Sequence, residues 1–167
     1  MIRIREILLP ENVLLDLVAG SREEGIQKVA ESLKADTRIV DWEQFYRDLL
    51  ERDECAKVNL QFGVTLPHTR TDAVTRMVMA FGRLARPVQN SDELIQFILM
   101  FGIPKTMDAE YLRLVGVLMR VFRSEESRRD LLTADKSGKI LGALSGRKPS
   151  SRTRGETFGV WRSEFGV

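Results

Sequence analysis

The chain holds one cysteine, Cys55, and one histidine, His68, in 167 residues. A single thiol cannot form an internal disulfide, and a disulfide-free chain suits the cytoplasm. One His and one Cys without ligand spacing give no donor set for a metal. Long apolar runs are also missing. Residues 94–101 form the longest candidate, about a strand in length, whereas a membrane span needs ~20 apolar residues. No membrane insertion is therefore expected. The opening Met1-Ile2-Arg3-Ile4-Arg5-Glu6 is not followed by the apolar core of a signal peptide. An excess of one charge is absent as well: 26 Lys+Arg face 24 Asp+Glu, a net +2, with the signs mixed along the chain. With no nucleic-acid-binding motif in view, nucleic acid is not an expected partner. What remains is a chain long enough for one domain that buries about 70% of its unfolded surface.

The stretch Gly63-Val64-Thr65-Leu66-Pro67-His68-Thr69-Arg70 contains the sole histidine. Val64, Thr65 and Leu66 read as a short buried strand. Pro67 cannot donate to a sheet ladder, so the strand is expected to stop there. His68 would then stand at a strand end, where α/β proteins usually keep their chemistry. A neutral imidazole carries one free lone pair and can be a nucleophile, a base or a ligand. A lone histidine is also, and more often, an ordinary half-buried polar residue.

Along the chain, residues 8–12 read as a turn around Pro10, and residues 13–18 as a short apolar segment. Ser21 and Glu24 form a capping-box pattern. Ile26, Val29, Ala30 and Leu33 then give a helix one apolar stripe. Asp41 caps a second helix, with Gln44 at the capping-box position and Trp42, Phe45 and Leu49 on one face, most simply as core packing. Arg52 falls near its end, where an arginine also suits the helix dipole. After a polar turn at residues 70–73, residues 76–81 read as a strand, 83–90 as a loop and 94–101 as a central strand covered on both faces. Asp108 starts the longest helix, through Leu112, Val115, Leu118, Met119 and Phe122, with Leu114, Val117 and Val121 widening its apolar face. Ser124 caps a short helix, and residues 137–144 form a last one. Residues 1–146 are taken as one domain. Residues 147–167 are a basic, polar linker followed by an aromatic tail, in which Phe-Gly-Val occurs twice around Trp161. That tail either packs on its own domain or docks a partner.

The motif Gly63-Val64-Thr65-Leu66-Pro67-His68 resembles the G-I-A-I-P-H signature of enzyme IIA domains of the fructose/mannitol class. These belong to the bacterial phosphoenolpyruvate-dependent phosphotransferase system and include nitrogen-regulatory IIA proteins. Leu49-Leu50-Glu51-Arg52-Asp53 is similar to the family's L-L-x-R-E, with Arg52 sixteen residues before His68. Phe97-Ile98-Leu99-Met100-Phe101-Gly102-Ile103-Pro104 resembles its apolar strand ending in proline, and residues 112–122 resemble the helix that follows. Two places depart from the pattern. Ala56-Lys57-Val58-Asn59-Leu60-Gln61 replaces a stretch rich in Gly and Ser/Thr, with Val58 at the family's threonine, and Tyr111 stands where many members carry a second histidine.

The resemblance implies a three-layer αβα sandwich, a mixed β-sheet flanked by helices on both faces. It implies a phosphoryl carrier in which HPr, the phosphocarrier protein, donates to His68 while Arg52 neutralises the phosphoryl oxygens. A guanidinium is always charged and matches those oxygens bidentately. Arg70, Thr69 and Tyr111 are further phosphoryl-binding candidates. Such transfer is positioning and electrostatics, so neither a metal nor an organic cofactor is expected. The onward partner would be a IIB component or a regulated target protein. With no transport domain in this sequence, the output expected is a protein contact made in the cytoplasm. The alternative is an interaction module that keeps the IIA fold and is never phosphorylated.

Overall fold

Residues 93–103 are apolar almost throughout, and a strand of that kind must be covered on both faces. In the computed structural model, which describes residues 2–146, they form β6 (Glu93–Ile103) at the centre of a mixed sheet. β5 (Val78–Asn90) pairs with it antiparallel as a long hairpin. β1 (Leu8–Leu17) lies parallel on the outer side of β5. On the other side of β6, β3 (Val64–Thr65) and β4 (His68–Arg70) lie parallel to it in succession. β2 (Asn59–Leu60) pairs antiparallel with β3 and closes that edge. Beyond β4 there is no further strand among the described residues, so β4 is itself an edge.

Two helical layers cover the sheet. α2 (Arg22–Ser32) and α3 (Trp42–Cys55) pack on one face, where Ile26, Val29, Phe45 and Leu49 meet Val78, Ile98 and Met100. α1 (Ile4–Ile7), α4 (Asp108–Arg123), α5 (Glu125–Thr133) and α6 (Ser137–Leu144) cover the other, where Tyr111, Leu118 and Phe122 meet Phe97, Leu99 and Phe101. The architecture is the three-layer sandwich. Each large apolar side chain buried there contributes about 1.5–3 kcal/mol. Gly102 lets α3 come close to the sheet beside β4, since a Cβ there would lie 2.9 Å from the Phe45 ring.

Both N-cap side chains form the bonds the sequence suggests, but the Gln44 side chain donates to Asp48 instead of closing a capping box. Ser21 Oγ accepts from the Glu24 N–H, and Asp41 Oδ1 accepts from the Gln44 N–H. Glu24 reaches back to the Gly20 N–H, one residue before the expected partner.

Four expectations need correction. Residues 8–12 are strand, not turn. Pro10 is tolerated because β1 is an edge strand, and its pairing shifts register between Leu8 and Val13. Residues 83–90 are also strand, not loop. Arg83 is buried there because its guanidinium donates to the Leu131 and Ala134 carbonyls, and Pro87 falls in the irregular stretch between Arg83 and Val88. The strand that Pro67 interrupts resumes at His68, so the histidine sits in a strand and not after one. Finally, the buried stripe of α4 runs through Tyr111, Leu114, Leu118, Val121 and Phe122, while Leu112 is 62% exposed. The helix is rotated so that the Tyr111 ring, not Leu112, faces the sheet. The expected linker and aromatic tail at 147–167 lie outside the described residues.

Candidate functional site

Successive side chains of a strand point to opposite faces. On β4, His68 and Arg70 therefore share the face covered by α4, and Thr69 points toward the α3 layer. His68 is 9% exposed and pairs in register with Phe101. Its ring stacks on Tyr111 with centroids 5.3 Å apart, and Tyr111 in turn meets Phe101 edge-on at 5.4 Å. His68 Nδ1 lies 2.8 Å from the Leu66 carbonyl oxygen. A carbonyl only accepts, so Nδ1 carries the proton and Nε2 keeps its lone pair.

Burial is the largest influence on His68 and lowers its pKa below the usual 6.5. The cations Arg52 and Arg70 lower it further, against the Leu66 carbonyl and the Asp53 carboxylate, which raise it. At neutral pH the ring is neutral and nucleophilic. Burial likewise pushes the Tyr111 hydroxyl well above its usual range, so it remains protonated.

Arg52, in the last turn of α3, is exposed. No hydrogen bond or ion pair with another described residue engages its guanidinium, yet its charge reaches both His68 and Tyr111. Arg70 donates through Nε to the Asp108 carboxylate in the first turn of α4. Arg52, Thr69, Arg70 and Lys105 line a cleft of about 690 Å³ that also takes in Asp48 and Thr71. His68 is not among the lining residues, although Thr69 and Arg70 beside it are. The Thr69 hydroxyl makes only a 3.5 Å contact with the Arg70 carbonyl. The expected set thus divides. His68 and Tyr111 are in contact, the charges of Arg52 and Arg70 act on them, and Thr69 faces the other layer. Among the described residues no cluster of side chains could hold a metal ion.

Val58, in the stretch that departs from the expected pattern, is half-buried against the α4-side core. Its carbonyl accepts from the Leu66 N–H at 2.8 Å. Sequence reasoning did not find the buried ion pair of Arg22 with Asp53, or its links to Thr65 and Asn59. The only available signal was that Asp53 directly follows Arg52.

The domain is a three-layer α/β sandwich whose edge strand carries an imidazole with one nitrogen tied to the backbone, under the charges of Arg52 and Arg70. The sequence model described as "Phosphoenolpyruvate-dependent sugar phosphotransferase system, EIIA 2" matches residues 6–146, and the chain belongs to that family. It is similar to the multiphosphoryl transfer protein of Shigella flexneri, 24% identical over 143 residues, covering 84% of this chain and 17% of that protein. The chain thus spans about a sixth of the length of that relative. The crystal structure of the nitrogen regulatory protein IIA-Ntr from Neisseria meningitidis superposes with a TM-score of 0.76 at 23% identity, covering 84% of this chain and 98% of that one. The mannitol IIA enzyme of Escherichia coli, solved in complex with its phosphorylated IIB enzyme, gives a TM-score of 0.66 at 20% identity and coverages of 82% and 96%. No helix among the described residues is long and apolar enough to cross a membrane.

Proposed function

We propose that this chain is a phosphoryl carrier with a regulatory output, accepting a phosphoryl group from HPr on Nε2 of His68. The observation that carries this reading is the imidazole whose Nδ1–H is held by the Leu66 carbonyl at 2.8 Å while Nε2 stays free. In the transfer, the Nε2 lone pair forms the new bond to phosphorus. The donor imidazole leaves with the electrons of the old P–N bond. Positive charge develops on the His68 ring, and the Leu66 carbonyl supports it through Nδ1–H. Arg52, with no partner to give up among the described residues, moves onto the phosphoryl oxygens, and Arg70 follows by exchanging Asp108 for them. Tyr111 walls the ring and offers a neutral hydroxyl. The group then passes to a IIB component, as fits the likeness to a mannitol IIA bound to its IIB, or its presence changes which target protein the domain binds. Both steps would take place in the cytoplasm.

A second reading is an interaction module that is never phosphorylated. It is favoured by Val58, whose side chain packs into the core and brings no hydroxyl to the site. One experiment separates the two. The protein is incubated with phosphoenolpyruvate, enzyme I and HPr, then weighed intact under alkaline conditions beside His68→Ala. A gain of one acid-labile phosphoryl group, absent from the variant, is expected. No gain with the cognate HPr would leave the module reading standing.

A further inference from the structure

Arg22 opens α2 and Asp53 lies in the last turn of α3, yet the guanidinium grips the carboxylate with two bonds of 2.7 Å each. The Arg22 side chain is 0% exposed. Its Nε also donates to Thr65 Oγ1 at 2.8 Å and to Asn59 Oδ1 at 3.3 Å. The Thr65 hydroxyl donates in turn to Asn59 Oδ1 at 2.7 Å. A buried ion pair roughly breaks even against apolar residues of the same size, so stability alone is a weak reason for one. The elements it joins are those that build the site. Asp53 is the neighbour of Arg52. Thr65 is the neighbour of Leu66, whose carbonyl fixes the His68 tautomer.

We propose that Arg22, Asp53, Thr65 and Asn59 form a positioning network for phosphoryl transfer, holding the Arg52 cation and the Leu66 carbonyl in fixed relation to His68. The inference rests on the carrier reading and adds residues to it. The network touches neither the phosphoryl group nor the donor. It acts through α3 and through the β2–β3 hairpin, the two supports on which the reacting geometry stands. Small misplacements of such supports cost far more in rate than in binding.

The test removes the pair as a unit with Arg22→Met/Asp53→Leu, so that no unpaired charge stays buried, and separately trims the network's rim with Thr65→Val. Two readouts are taken on each. One is rapid-quench uptake from phosphorylated HPr over a range of donor concentrations. The other is the nitrogen NMR spectrum of the imidazole, unambiguous because the protein has 1 His. In the double variant the saturating rate is expected to fall about tenfold, with KM for HPr within about twofold, and the Nδ1–H tautomer to give way to a mixture. Thr65→Val should move both in the same direction by about threefold or less. The exchange Arg22→Lys/Asp53→Glu keeps the charge pair but loses the fork and the Nε bonds to Thr65 and Asn59, so it should recover only part of the rate. Folded variants with the wild-type rate and tautomer would overturn the proposal. Should the double variant not fold, Thr65→Val decides by the same two readouts. If wild-type protein takes up no phosphoryl group, the carrier reading fails by itself, while the tautomer still reports whether the network holds the ring.

Discussion

Arg22 and Arg52 are placed near the same helix end, and the fold treats them in opposite ways. Arg22 is sealed from solvent, with a carboxylate on its fork and two oxygens on Nε. Arg52 is exposed, and its guanidinium has no hydrogen bond or ion pair to another described residue. A guanidinium with its donors already used can stiffen a structure but cannot bind an arriving anion. One left open at a cleft can do so at little cost to the fold. Availability of the donors, more than residue type, separates the two roles.

Breaking each arginine's environment should therefore give opposite phenotypes. Asp53→Ala leaves the Arg22 charge buried without a counterion, and should cost about 3–5 kcal/mol in urea unfolding. Arg52→Gln should leave stability within about 0.5 kcal/mol of wild type and slow phosphoryl uptake about 100-fold, or about 2.7 kcal/mol on the barrier. A large stability loss on Arg52→Gln, with uptake intact, would erase the contrast.

His68 sharpens the comparison through pH. Its folded pKa is lowered, chiefly by burial, below the 6.5 it takes when unfolded. The unfolded state then binds more protons than the native state just below pH 6.5. This contribution to stability is complete above that pH and is lost as the pH falls toward the folded value. His68→Gln should flatten the part of the stability profile just below pH 6.5 relative to wild type. The same shift keeps the nucleophile unprotonated at neutral pH, so the uptake rate should be flat there and fall only on acidification. A wild-type stability that rises as the pH drops through this window would contradict a buried neutral ring.

How legible this was in the sequence depends on whether a feature is local. The caps at Ser21 and Asp41 were legible because a side chain and an N–H three residues on suffice to make them. The apolar run of β6 could be read as a central strand by composition alone. The motif around His68 was legible as a compact local signature, but its place inside a strand, stacked on Tyr111, was not. Pro10 and Pro87 misled, because a missing N–H matters only where a partner strand would use it, and pairing is a long-range fact. The face of α4 was misjudged since its many apolar residues fit more than one stripe, and the sheet, through Phe101 under Tyr111, chose among them. The Arg22–Asp53 pair joins residues 31 apart, and nothing local to either announces the other.

The smallest expected effect concerns Arg70, which stands between the two extremes. It is paired with Asp108, but both partners are exposed, at 37% and 53% of their side chains. Such a pair holds with about 0–1 kcal/mol, so exchanging its carboxylate for a phosphoryl group of nearly two negative charges is favourable. Asp108→Asn removes the competitor and should change stability by less than about 1 kcal/mol. It should also speed uptake slightly, by up to about threefold, because Arg70, like Arg52, then has no carboxylate partner among the described residues. Arg70→Gln should slow uptake, but by less than Arg52→Gln. Raising the salt concentration should shrink the difference between Asp108→Asn and wild type, since added ions screen the exposed pair that the variant lacks. If Asp108→Asn instead slows uptake, then Asp108 holds Arg70 in place for the phosphoryl group, and the exposed pair belongs with Arg22–Asp53 as a support.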